Sequence, residues 1–61
     1  MTQLNQLELQ SLRHIIGAHE TAFEKLNQYA QDAVDPQVKA FFTRSAQDAQ
    51  QTKRQLLSFL N

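Results

Sequence analysis

The feature that most constrains this chain is the pair Asp35-Pro36, set near the middle between two long stretches that contain no other proline. Proline fixes φ, lacks an N–H and disfavours α geometry at the preceding residue, so a helix arriving from the N-terminal side must end by about Val34. The same pair suits the start of a second helix, with Asp35 as N-cap and Pro36 as its first residue. Two helices are therefore expected, over about residues 6–34 and 36–60, with the turn at 35.

The first helix has a start signal of its own. Asn5 can accept from backbone N–H groups left free at a helix N-terminus, and Glu8, three residues on, completes a capping-box pair. Leu4 and Leu9 have the spacing of a hydrophobic staple around that cap. From there Leu9, Leu12, Ile16, His19, Phe23, Leu26, Ala30 and Ala33 recur at alternating intervals of three and four, which is the heptad seam of a packed helix. Ile15, Ala22 and Tyr29 lie beside the seam at intervals of seven, making the apolar stripe wider than a two-stranded coiled coil needs. Gly17 falls off the seam and weakens the helix by up to about 1 kcal/mol relative to alanine, either at the surface or at a close helix contact.

The second seam runs through Val38, Phe42, Ser45, Ala49, Thr52, Leu56 and Phe59, broadened by Phe41, Ala46 and Leu60. A short connection folds two such helices back on each other as an antiparallel hairpin. Ala30 then faces Phe41-Phe42, Phe23 faces Ser45, Ala46 and Ala49, and His19 comes level with Thr52. Large residues oppose small ones, as interdigitated packing requires.

A chain of 61 residues fits one small domain whose lone core is marginal without a disulfide, a metal or a partner copy. There is no cysteine, which removes disulfides, thiolate zinc sites and a cysteine nucleophile together. Helices of ~29 and ~25 residues would run roughly 43 and 37 Å and leave Ile15, Tyr29, Phe41 and Leu57 in water. Pairing two hairpins into a homodimeric four-helix bundle would cover them. The expected fold is thus all-α, and the candidate core and dimer-interface residues are Leu12, Ile15, Ile16, His19, Phe23, Leu26, Tyr29, Phe41, Phe42, Leu56 and Phe59. Charge agrees with such pairing: acids outweigh bases on the first helix, through Glu8, Glu20, Glu24 and Asp32, and bases outweigh acids on the second, through Lys39, Arg44, Lys53 and Arg54.

Six basic and six acidic residues cancel over the whole chain, so there is no broad positive field for nucleic acid. Thr43-Arg44-Ser45 and Thr52-Lys53-Arg54 are small basic clusters on a solvated face. The longest apolar runs are pairs such as Ile15-Ile16, Phe41-Phe42 and Leu56-Leu57, far below the ~20 residues that span a bilayer. Sparse, balanced charges and an alanine-rich apolar face also argue against a helix lying on a membrane. Met1-Thr2-Gln3-Leu4 does not begin a secretory signal, so the expectation is a protein that stays in the cytoplasm of the producing cell. The ten glutamines are interleaved with the helical period and read as a polar, uncharged helix surface.

No constellation of residues specifies a reaction, a metal or a cofactor. His19 is the most interesting candidate, since an imidazole on a seam needs a partner. It reads as a core histidine bonded to Thr52, a backbone carbonyl or a second copy, with a metal ligand or pH-sensitive contact at a dimer interface as the sharper alternative. His14 lies five residues earlier, a poor spacing for a shared metal on a helix. Di-iron bundles use Glu-x-x-His, whereas Glu8, Glu20 and Glu24 are followed three residues later by Ser11, Phe23 and Asn27. Ser45 and Thr52 have no His-carboxylate arrangement to activate them and read as small polar seam residues bonding to the preceding turn. Gly17 stands alone, so there is no phosphate-cradling loop.

The stretch Tyr29-Ala30-Gln31-Asp32-Ala33-Val34-Asp35-Pro36-Gln37-Val38-Lys39-Ala40-Phe41-Phe42, followed by a Gln-rich helix ending Leu56-Leu57-Ser58-Phe59-Leu60, resembles the short coat F-like proteins of endospore-forming bacteria. These are small ferritin-like helical units with a Tyr-x-x-x-x-x-Asp-Pro-x-x-Lys type junction, and the likeness covers nearly the whole chain. Members often place glutamate and histidine inward, where this second helix has Gln47, Gln50 and Gln51. The resemblance implies a self-associating, non-enzymatic structural protein linked to sporulation, deposited in the spore coat with other coat proteins as partners. The alternatives are a small ferritin-like metal-binding protein with a site at the subunit interface, and a regulatory adaptor that lends its apolar face to another protein's helix.

Overall fold

In a computed structural model, which describes residues 4–60, the chain is an all-helical hairpin: α1 (Gln6–Asp32) and α2 (Pro36–Ser58) pack antiparallel over their whole length. Met1, Thr2 and Gln3, from the stretch that does not begin a secretory signal, lie outside the described residues, as does Asn61. The hairpin is long and thin, 46 × 17 × 11 Å.

Both helix starts form as their local chemistry dictates. The Glu8 N–H donates to Asn5 Oδ1 at 2.7 Å and the Asn5 N–H donates to Glu8 Oε1 at 3.0 Å, a reciprocal capping box. At α2, Asp35 Oδ1 accepts from the N–H groups of Gln37 and Val38 at 2.8 and 3.0 Å, with Pro36 supplying the missing donor position.

The helix ends depart from the expectation. α1 stops at Asp32, two residues before Val34, because Ala33 leaves α geometry (φ −70°, ψ 134°) while its N–H still donates to the Tyr29 carbonyl at 2.9 Å. The connection is therefore residues 33–35 rather than a turn at 35 alone. Pro36 restricts only Asp35, and Ala33 is extended as well, which widens the connection. α2 ends at Ser58 rather than about 60. The Phe59 and Leu60 N–H groups reach back to Leu56 and Leu57 at 3.2 and 3.0 Å, the tight last turn common at helix C-termini.

Two contacts report the register. The rings of Tyr29 and Phe42 are 5.5 Å apart near the turn, and Lys53 Nζ donates to Glu20 Oε2 at 2.6 Å farther along. The nine residues back along α1 from Tyr29 to Glu20 and the eleven forward along α2 from Phe42 to Lys53 agree to within two residues with the antiparallel register expected from the seams.

The depth of burial is the main surprise. Among the described residues only Ala46, 1% exposed, and Ala30, 8% exposed, are buried. Leu12, Ile16, His19, Phe23, Leu26, Phe42 and Leu56 are half-buried, while Val38 and Phe59, two seam residues, are exposed. Two helices can bury only the strip where their backbones approach, and that approach is closest at alanine. Large side chains splay to either side. Gly17 has nothing within 4 Å of where a Cβ would stand, so it is a surface glycine and marks no helix contact.

Candidate interaction surface

The interval of seven divides each helix into two flanks beside its seam, and the two flanks of the hairpin have opposite character. One flank of α1 carries Arg13, Glu20 and Asn27, and the matching flank of α2 carries Lys39, Ala46 and Lys53. This side is closed. The Lys53–Glu20 ion pair spans it, Ala46 fills the gap between backbones, and Phe23 lies in a shallow depression beside Gln50 and Arg54.

The other flank carries Ile15, Ala22 and Tyr29 on α1 and Phe41, Asp48 and Gln55 on α2, with Val38 and Phe59 of the second seam turned toward it. Among the described residues nothing covers its large side chains. Ile15, Tyr29, Val38, Phe41 and Phe59 are all exposed, Phe41 to 66%. At the turn end Tyr29 packs on Phe42 and Phe41 lies against Phe42 with centroids 6.0 Å apart, leaving a hollow between Tyr29, Ala33, Val38 and Phe42. At the open end Leu4, Leu7, Leu12, Ile15 and Phe59 line an apolar groove whose polar neighbours are Glu8 and Ser11. A single copy thus presents an apolar patch at each end of this side, with Ile15 and Ala22 of α1 between them and Asp48 and Gln55 on the facing flank of α2.

The exposed area is larger than that of a compact globule, as the thin shape of a two-helix hairpin requires. The chain exposes 4945 Å², whereas a compact monomer of its 7.0 kDa would expose about 4,000 Å². Scattered exposed apolar residues are ordinary, but apolar patches at both ends of one side, on a hairpin with two buried alanines, are not.

Of the residues expected in the core and interface, Ile15, Tyr29, Phe41 and Phe59 lie on or beside the open side, and Leu12, Ile16, His19, Phe23, Leu26, Phe42 and Leu56 lie between the helices. Leu57, expected to be covered by pairing, is also exposed. Leu4 and Leu7 lie outside that expected set; Leu7 sits on neither seam, and only the fold reveals that it joins the groove facing Phe59.

His19 is half-buried and its Nδ1 donates to the Ile15 carbonyl at 2.9 Å. Since a carbonyl only accepts, Nδ1 carries the hydrogen, and a neutral ring leaves Nε2 as an acceptor. The partner of His19 is thus a backbone carbonyl of its own helix rather than Thr52. The hydroxyls that bond back to the preceding turn are those of Thr43, to the Lys39 carbonyl at 2.9 Å, and Ser58, to the Gln55 carbonyl at 2.6 Å. Ser45 and Thr52, expected to do so, are half-buried on the seam without such a bond. Among the described residues no three His, Asp or Glu side chains gather as a metal site would need, and no helix is long and apolar enough to cross a membrane. No family model, no curated protein and no solved structure matches the chain.

Proposed function

We propose that this protein is a non-enzymatic structural or assembly protein whose working form is two hairpins joined along their open apolar sides as a homodimeric four-helix bundle. The observation that carries this reading is the exposure of Ile15, Tyr29, Val38, Phe41 and Phe59 on a hairpin whose buried core is Ala30 and Ala46. A core of two alanines is too small to outweigh the conformational entropy of ordering some fifty helical residues, so a second copy supplies the missing burial. A spore-coat role, inside the producing cell and then in the coat among other coat proteins, is the biological setting that the Asp35-Pro36 junction suggests by its likeness to coat F-like proteins.

Sedimentation equilibrium at micromolar concentration tests the assembly, with a mass of two chains expected. Phe41→Asp should shift that equilibrium to monomer by about a hundredfold or more, since an unpaired carboxylate in an apolar interface costs ~3 kcal/mol or more. A stably folded monomer would overturn the reading in favour of an adaptor that accepts another protein's helix. Stoichiometric iron, manganese or zinc in the purified protein, lost in His19→Ala, would overturn it in favour of a ferritin-like metal protein.

A further inference from the structure

Resting on the self-association proposed above, we infer that the two copies pair with their turns at the same end of the bundle, so that α1 of each packs on α2 of the other. Two arrangements lay the open side of one hairpin on that of a second with all neighbouring helices antiparallel. A two-fold axis along the bundle brings the turns together and sets α1 on the partner's α2. An axis across the bundle puts the turns at opposite ends and sets α1 on α1 and α2 on α2.

Charge separates them. α1 carries Glu8, Glu20, Glu24 and Asp32 against Arg13 and Lys25, while α2 carries Lys39, Arg44, Lys53 and Arg54 against Asp48. With the turns together, each acidic helix has a basic helix on both sides, its own and the partner's. With the turns apart, the acidic helices lie on each other, as do the basic ones, which costs affinity through like-charge juxtaposition.

The edge of the open side repeats the pattern at one level. Lys25 and Asp32 follow Ala22 and Tyr29 by three residues, so they stand at its outer edge on α1, and Arg44 and Asp48 follow Phe41 by three and seven on α2. A two-fold axis along the bundle keeps every residue at its own height. The levels between α1 and the partner's α2 are therefore those of the hairpin itself, reported by Tyr29–Phe42 and Glu20–Lys53. In that register Lys25 is level with Asp48, and Asp32 is about one turn from Arg44. The level pair, Lys25 and Asp48, is of opposite sign, and Arg44 stands between Asp32 and Lys25 in height. The same axis brings the Tyr29 and Phe41 rings of both copies to one end.

With no native cysteine, a nitroxide attached at Val34→Cys reads the arrangement directly; Val34 sits in the turn and is 95% exposed. Pulsed spin-label distances in the dimer should fall well under half of the 46 Å length of the hairpin. Gln37→Cys, also exposed at the turn end, gives the same reading should the first label disturb the connection. Labels separated by nearly the full length in a protein that still sediments as a dimer overturn this pairing and leave self-association standing, whereas a monomer at every concentration overturns both. Lys25→Glu and Asp48→Lys should each weaken the dimer by about two- to fivefold at low salt. Their combination should recover it, and a double variant no tighter than either single one would overturn the pairing.

Discussion

The two long sides of the hairpin come from the same two helices in the same register, yet one is closed and the other is open. On the closed side Ala46 lets the backbones approach, Phe23 lies along the groove, and the Glu20–Lys53 pair spans the top. On the open side the equivalent flanks bring Ile15, Tyr29 and Phe41, too large to tuck between two helices and too apolar to suit water. What differs is the size and polarity of three flank residues, Ile15, Tyr29 and Phe41, against Arg13, Glu20 and Ala46. Small or charged flanks finish a two-helix unit, and large apolar flanks ask for a third and a fourth helix.

The largest expected effect breaks the comparison at its centre. Phe42 touches both Tyr29 and Phe41 and is the link between the seam and the open side. Phe42→Ala should cost ~3 to 5 kcal/mol by denaturant melts, as expected of an aromatic covered on all sides. A half-exposed ring in a lone hairpin would cost much less, so a loss under ~1 kcal/mol means that no second copy covers it. Next in size is Ala46→Leu, where a large side chain in the closest helix approach should cost ~1 to 3 kcal/mol. The same exchange at Ala18, exposed at the outer edge of the open side, should stay within ~0.5 kcal/mol. Equal losses at both would remove the distinction between closed and open.

Much of this architecture is legible in the sequence because its determinants are local. Asn5 with Glu8, and Asp35 with Pro36, set the helix starts through groups within four residues of one another, and the three-four spacing of the seams is enough to give the antiparallel register. The departures have one cause. Periodicity gives the direction of a side chain around a helix and says nothing of its depth, so Phe59 and Val38 share a seam with Leu56 and yet are exposed, while the buried places go to alanines. The end of α1 at Asp32 instead of about Val34 goes with an extended Ala33, a conformation that neither the seam spacing nor Pro36, which restricts only Asp35, specifies. Leu7 was invisible as part of a surface because its groove forms only when Phe59 arrives from the far end of the chain.

Gly17 belongs to neither side, which makes it a clean reference for the comparison. Gly17→Ala should stabilise the protein by up to about 1 kcal/mol through helix propensity alone, since a Cβ there meets open space. That corresponds to roughly 4 to 8 °C in a domain of this size, with the dimerisation constant unchanged. A loss of stability would place another surface against that position.

The smallest effect sharpens the account of the closed side. The Glu20–Lys53 pair is short at 2.6 Å, but the Glu20 side chain is half exposed, so the attraction is set against water and the entropy of two long side chains. Glu20→Gln should therefore cost only ~0.2 to 1 kcal/mol at low salt, and nothing measurable in 1 M salt, where exposed charges are screened within about 3 Å. A loss above ~2 kcal/mol that persisted at high salt would mean that the ion pair, rather than the fit of Phe23 and Ala46, closes this side. The contrast between the two sides would then be one of charge, and an acid and a base introduced opposite each other on the open side, at Ile15 and Gln55, should close it.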